Sequence, residues 1–321
     1  MSRDDLHDVV IVGGGPAGLS AAIHLGWHRR RVVVLDRVTG PLFFTLEKLW
    51  NVPGFPGSTG LEIQKRLRAQ AVEQGATVER ANIVRASGTL EHFRLEAEDG
   101  RDWRSRTLLL ATGVARFHPS VDGDFRPCFG YAGKGNLFYC PDCEAPEVFG
   151  KDVVVIAVGS ADAAAGMAIG LARYASHVRV LLPEGSAPRA ELFPALGRLG
   201  IEIVHGSIVA LDGEHRQLRA LVLTGGSQLE AGAFFVSTPA RGRTDLAEQL
   251  GVELAPKGKH AAVASQRGDT NVPGVWVAGD LRPMTQQVAV AMGTGNIAAV
   301  MIDQYLRKKD FAPPGAVRRA G

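Results

Sequence analysis

Two cysteines and an acid stand together in Cys140-Pro141-Asp142-Cys143-Glu144. Cysteines at this spacing can close a short disulfide or share a metal ion. A zinc site needs about four ligands, and the single further cysteine is Cys128, with no second pair anywhere in the chain. Proline inside the pair suits a redox turn. Thiol–disulfide exchange is therefore favoured over a metal site or an inert pair of thiols. In that chemistry Glu144 would serve as a general acid for a departing thiolate; the bland alternative is a solvated surface carboxylate. Cys128 reads as a small core residue rather than a third redox centre.

A second group of residues binds rather than reacts. It is Gly13-Gly14-Gly15-Pro16-Ala17-Gly18. Glycines at 13, 15 and 18 let a turn tighten, let backbone approach a pyrophosphate, and let a helix pack on a strand, with the helix N-terminus facing the phosphates. Asp36 closes the next apolar run, where an acid can accept from a ribose hydroxyl. The order strand, glycine turn, helix, strand, acid points to a dinucleotide and leaves FAD and NAD undistinguished.

These residues need an α/β frame to position them. The apolar run 8–12, a helix over 17–27 and a strand at 31–35 form one βαβ unit. An amphipathic helix follows at 61–75, then antiparallel strands near 77–84 and 93–97, and a buried strand at 107–111 closed by Thr112-Gly113. The pattern restarts with a strand at 152–158, Gly159, a helix over 161–174 and a strand at 178–182. Further strands are expected at 201–205, 218–224 and 233–237. A last strand runs from 274 into Gly279-Asp280, and an apolar helix covers about 287–305. The proline-containing stretch 310–315 cannot continue that helix.

The bulk properties narrow the class. A chain of 321 residues suits two domains, and 45% hydrophobic with 21% charged residues is a globular profile. Net charge is +3 with no long basic run, and the short basic cluster 28–31 reads as a helix end, so nucleic acid is not an expected partner. Three cysteines are too few to staple the chain, which argues for a reducing, cytoplasmic setting. Residues 1–5 lack the basic start and apolar core of a signal peptide. The uncharged stretches 9–27 and 283–302 carry glycines or Gln286, Gln287, Thr294 and Asn296, so they read as buried segments and no membrane partner is expected.

Taken in order, the motifs resemble the low-molecular-weight thioredoxin reductase family of flavoproteins over nearly the whole chain. The resemblance rests on Gly13–Gly18, on the segment Asn51-Val52-Pro53-Gly54-Phe55-Pro56-Gly57 and on Leu110-Ala111-Thr112-Gly113. It continues through the CxxC set before the second βαβ unit and through Gly274–Asp280 followed by Gln287-Val288-Ala289. It implies an α/β fold of two Rossmann-like dinucleotide-binding domains. A discontinuous FAD domain would span 1–117 and 246–321, and an inserted NAD(P)-type domain, 118–245, would carry the cysteine pair. Gly13, Gly15, Pro16, Ala17, Gly18 and Asp36 would hold the adenosine diphosphate of FAD. Asn51, Thr112, Gly113, Gly279 and Asp280 would complete the FAD site, with Gln287 and Val288 at the isoalloxazine. Cys143 would face the flavin, Cys140 would attack the substrate disulfide, and Glu144 falls where the family has an acidic proton donor. A homodimer is implied as well.

Several positions depart from the family pattern. The second glycine motif is Gly159-Ser160-Ala161-Asp162-Ala163-Ala164, so Ala161 replaces the glycine that would let backbone approach a pyrophosphate. Where the family has a basic cluster for the 2′-phosphate of NADPH stands Glu184, which would repel that phosphate and suit the free diol of NADH; a lone Arg189 lies nearby. The stretch Phe43–Trp50 is bulkier than the family's polar loop, and Gln286 stands where an arginine is usual. The expected activity is an FAD-dependent thiol–disulfide oxidoreductase acting on a thioredoxin-like protein or a small-molecule disulfide or dithiol. NADH, NADPH and a non-nicotinamide donor such as ferredoxin all stay open. The rivals are an FAD-dependent dithiol oxidase that uses oxygen and a non-catalytic flavin redox sensor.

Overall fold

The computed structural model describes residues 6–256, 260, 263 and 265–311. The chain opens with β1 (Leu6–Val12), α1 (Pro16–Trp27) and β2 (Val32–Asp36). Val9, Val10 and Ile11 are fully buried, as expected of a β-branched strand covered on both faces. β2 pairs parallel to one edge of β1, with Val9 opposite Val32. Next come α2 (Gly60–Glu73), β3 (Thr77–Arg80), β4 (Ile83–Thr89), β5 (His92–Ala97) and β6 (Asp102–Leu110). β6 lies parallel on the other edge of β1.

The single antiparallel strand expected over 77–84 is in fact two. β3 pairs parallel with β2, and Ala81 N donates to Asp36 O beyond the last pair of that ladder. The chain then turns, and β4 begins an antiparallel run with β5. The strand expected at 107–111 starts earlier, because its first residues pair antiparallel with β5, Trp103 against Leu95.

The chain continues through β7 (Leu137–Phe138), α3 (Pro141–Glu144), β8 (Asp152–Ala157), α4 (Ala161–Leu171), β9 (His177–Leu182) and β10 (Glu202–His205). It then forms a meander of β11 (Ile208–Glu214), β12 (Gln217–Leu223) and β13 (Gln228–Glu230), and returns in β14 (Ala233–Ser237). A five-stranded parallel sheet runs β7-β14-β8-β9-β10, with Phe234 and Phe235 fully buried at its centre. α4 ends at Leu171, short of the expected 174, and both Tyr174 N and Ala175 N donate to Leu171 O. β11 was not evident from its residues: Val209 is exposed and Asp212 half-buried. Its hairpin turns on His215 and Arg216, both in the left-handed region.

β15 (Val275–Val277) then pairs parallel with β6 and completes the first sheet, whose order is otherwise β3-β2-β1-β6-β5-β4. The last helix, α5, spans Val288–Asp310, a turn longer than its apolar pattern. Arg307, Lys308 and Lys309 in its final turn oppose the negative helix end, and Arg30 ties down both Asp303 and Asp310. α5 packs along α1, with Gly295 set close against the Ala17 backbone. Two compact units result: 1–43 with 62–115 and 241–321, and 44–61 with 116–240. Residues 312–315, expected to leave the helix, lie outside the described residues. No described helix is long and apolar enough to cross a membrane.

Candidate active site

In the first unit the glycine turn is built as its spacing implies. Gly13 has φ +108°, and a Cβ there would collide with the Ala111 carbonyl; one at Gly18 would collide with the Gly13 carbonyl. Gly15 faces open space, with nothing within 4 Å of a Cβ. Pro16 takes the first helical position of α1, which has neither a side-chain cap nor an acid in its first turn. That N-terminus therefore presents free backbone N–H groups and the positive dipole end. Asp36 is buried at the end of β2, and its Oδ2 has no partner among the described residues. A Cβ at Gly14 would stand 2.8 Å from that carboxylate, so glycine there lets Asp36 close on the turn.

A buried carboxylate oxygen left without a partner costs free energy unless a ligand satisfies it. These residues fit the adenosine end of a dinucleotide: Gly13, Gly15, Pro16, Ala17 and Gly18 at the phosphates, and Asp36 at the ribose. Gln64 was not anticipated. It is buried on α2, its Nε2 donates to Gly14 O, and its Oε1 has no partner among the described residues. An amphipathic helix pattern gives no cue to such a role. Thr112 Oγ1 donates to Arg243 O, and Arg243 N donates to Gly113 O. Gly279 N donates to Thr294 Oγ1 on α5, and its positive φ and close approach to Ala17 Cβ require glycine. Asp280 follows it, Gln287 caps α5, and Val288 is the first residue of that helix. Arg282, two residues beyond Asp280, is buried with Nε and Nη1 unpartnered among the described residues. Asn51, expected with this set, belongs to the second unit.

The second unit holds the reactive residues. Cys140 and Cys143 form a disulfide with Cα atoms 5.3 Å apart. Cys140 caps α3, Pro141 opens it, and the Cys143 and Glu144 amides both donate to Cys140 O at 3.0 Å. Glu144 Oε2 accepts from Cys140 N at 2.9 Å. Burial pushes the Glu144 carboxyl up to about 7, against smaller opposing effects from the Cys140 and Tyr139 amides and from Arg116. It can therefore hold a proton near neutral pH beside the cysteine pair, as a general acid must.

Three neighbours were not anticipated. Glu47 is raised to about 7 by burial and then by the charge of Glu144. Tyr139 and His118 meet at 2.7 Å. Burial raises the tyrosine and lowers the histidine, so the neutral forms of both are favoured. Cys128 is buried and free, its thiol pushed up to about 11 by burial; it is poorly suited to nucleophilic work.

The second glycine motif differs from the first in how its helix begins. Gly159 keeps a positive φ, but Ser160 caps α4 by accepting from Ala163 N. Asp162 lies in the first turn, where it accepts from Arg189 N at 2.7 Å and pairs with its guanidinium. One helix amide is thus taken by Ser160, and Asp162 adds a carboxylate to the first turn that pairs with Arg189. Ala161 adds its methyl there, and Glu184 stands exposed in the turn after β9.

A glycine turn closed by a buried acid, a second glycine turn and a cysteine pair are the features of a disulphide oxidoreductase, and comparison with known proteins agrees. Residues 7–295 match the family model described as pyridine nucleotide-disulphide oxidoreductase, and the chain belongs to that family. Within it the chain is thioredoxin reductase-like. It is 30% identical over 323 residues to the thioredoxin reductase of Aquifex aeolicus, covering 97% of both chains. It is 25% identical to the ferredoxin–NADP reductase of Picrophilus torridus, covering 94% of each. The solved structure of HlmI superposes with a TM-score of 0.86 at 25% identity, covering 97% of this chain and 95% of that one. The expected α/β class and the oxidoreductase assignment both hold.

Proposed function

We propose that the protein is an FAD-dependent thiol–disulfide oxidoreductase in which electrons pass between the flavin, the Cys140–Cys143 disulfide and a partner disulfide. The observation that carries this reading is the Cys140–Cys143 bond with the Glu144 carboxyl on the Cys140 amide at 2.9 Å. FAD would be held by Gly13, Gly15, Pro16, Ala17, Gly18, Asp36, Thr112, Gly113, Gly279, Asp280, Gln287 and Val288. When bound, it supplies two-electron exchange with the cysteine pair. The chain's own part is to orient the pair, hold a proton on Glu144 and deliver it to the thiolate that leaves. The partner is a thioredoxin-like protein or a small-molecule disulfide, and the enzyme is a cytoplasmic homodimer.

A second reading, a dithiol oxidase that passes electrons from a small dithiol to oxygen, is favoured by one feature. The α4 N-terminus carries the Ser160 cap, the Ala161 methyl and the Asp162 carboxylate, a setting less favourable to a pyrophosphate than the start of α1. Anaerobic mixing of the purified flavoprotein with NADPH, and separately NADH, tests the first reading through loss of the oxidised flavin's visible absorbance. Fast bleaching by either supports the nicotinamide-linked reductase. If neither bleaches the flavin while dithionite does, that donor is excluded. Hydrogen peroxide formed stoichiometrically from a dithiol in air then identifies the oxidase.

A further inference from the structure

Gln64 lies on the buried stripe of α2, with Leu67 and Ala71 on the turns that follow, where an apolar residue would be ordinary. It is 2% exposed, and an amide is costly to bury unless its polar ends are met. One end is met, since Nε2 donates to Gly14 O. That bond also fixes which way the amide points. A flipped side chain would set Oε1 against the Gly14 carbonyl oxygen, acceptor to acceptor. Oε1 is therefore the end left over, buried and without a partner among the described residues.

Asp36 reaches the same glycine at its Cα. A Cβ on Gly14 would stand 2.8 Å from Asp36 Oδ2, and that oxygen is likewise buried and unpartnered among the described residues. Two acceptors without donors are thus held around one residue of the glycine turn, all within the first unit. The uncapped start of α1 adjoins them in the same turn.

The helix start favours a phosphate. The two acceptors call for a neutral group that carries two donors on neighbouring atoms, and a ribose with free 2′- and 3′-hydroxyls supplies it. A 2′-phosphorylated ribose would bring a charged acceptor against the Asp36 carboxyl and leave Oε1 unmet. We propose that Gln64 is a specificity-determining residue of the first nucleotide site. It takes one hydroxyl of a ribose diol while Asp36 takes the other, so the site selects a nucleotide whose diol is unmodified. The proposal rests on the FAD part of the functional reading, in which the diol belongs to the adenosine half. An acid at the end of the second strand is the acceptor that a dinucleotide turn carries by itself. The glutamine on α2 adds a second point of contact with the sugar.

A glutamine that only braced Gly14 would affect every ligand of the turn equally, so selectivity separates the two roles. Purified holoprotein is equilibrated with FAD and with analogues whose adenosine is replaced by 2′-deoxyadenosine or 3′-deoxyadenosine. Chromatography of the retained flavins gives the affinity of each analogue relative to FAD. In wild type each missing hydroxyl is expected to weaken binding by about threefold or more, as the loss of one hydrogen bond does. Gln64→Met is close in shape and lacks the amide. It is expected to bind FAD about threefold to tenfold more weakly and to lose the discrimination against one analogue while keeping it against the other. Asp36→Ala is expected to lose the complementary discrimination. Unchanged discrimination against both analogues in Gln64→Met overturns the proposal. So does a deoxy analogue that wild type holds as tightly as FAD, a result that needs no variant and stands even if a substitution folds poorly. If no flavin is retained, yet ADP titrated beside its 2′-deoxy and 3′-deoxy forms shows the same dependence on Gln64, the diol site stands and the FAD reading falls.

Discussion

At the scale of single residues the site divides into a legible part and a concealed one. Cys140 and Cys143 announce themselves by spacing, since a disulfide of two residues three apart is a local event. Replacing either by serine removes the bond that accepts and returns electrons. Disulfide turnover is expected to fall by about three orders of magnitude or more, while the purified protein stays yellow; a stopped assay with a small disulfide and a flavin spectrum measure the two. Asp36 makes the complementary case. Its buried, unpartnered Oδ2 predicts that Asp36→Ala weakens flavin retention by about tenfold to a hundredfold, the worth of a hydrogen bond to a charged group. Dilution and gel filtration with quantitation of released flavin read that loss, and full retention would show that the carboxylate serves the fold alone. Glu47 could not be read from sequence. It stands in a stretch that otherwise reads as bulky and apolar, and only the docking of Leu46 on Gly133 buries it.

At the scale of elements, what could be read was whatever a strand or helix decides for itself. The βαβ units at both glycine motifs follow from local apolar runs punctuated by glycine, and they lie where the pattern put them. The misreadings fall where a partner decides. Residues 77–84 split because β2 claims the first half and β5 the second. α5 outruns its apolar pattern because Arg30, distant in sequence, pairs with two of its acids. The same helix offers a controlled test of packing. A methyl group at Gly295 would collide with the Ala17 carbonyl, whereas one at Gly293 meets nothing within 4 Å. Gly295→Ala is therefore expected to destabilise the fold by about 1–3 kcal/mol through overpacking against α1. On the proposed FAD site it should also loosen flavin binding, because α1 carries the glycine turn assigned there to the phosphates. Gly293→Ala, on an exposed helix position, is expected to be neutral or to stabilise by up to about 1 kcal/mol. Thermal melts of the two variants decide the matter, and equal effects would mean that α5 does not press on α1 as described.

At the scale of the whole molecule, protonation ties the site to stability, and the sign can be worked out. Glu47 and Glu144 titrate near 7 in the folded protein, above the ordinary carboxylate value of 4.5. Between those two values the folded state binds more protons than the unfolded chain, so their contribution to stability falls as pH rises through that window. Burial acts oppositely on His7, His24 and His118, whose affinity for protons is lowered from 6.5. The unfolded chain takes up protons there first, and stability from these groups is lost as pH falls below about that value. The two trends oppose each other near neutrality, so the wild-type melting curve alone cannot separate them. The difference between variants can. Glu144→Gln keeps the shape of the side chain and removes the buried charge, so its stability relative to wild type is expected to rise as pH increases from about 5 to 8. The histidine contribution cancels in that comparison. A relative gain in melting temperature of about 2–4 °C across the window corresponds to roughly 1 kcal/mol for a chain of this size class. A flat difference would mean that Glu144 is charged through the whole range, and it would remove the acid on which the chemistry of the cysteine pair depends.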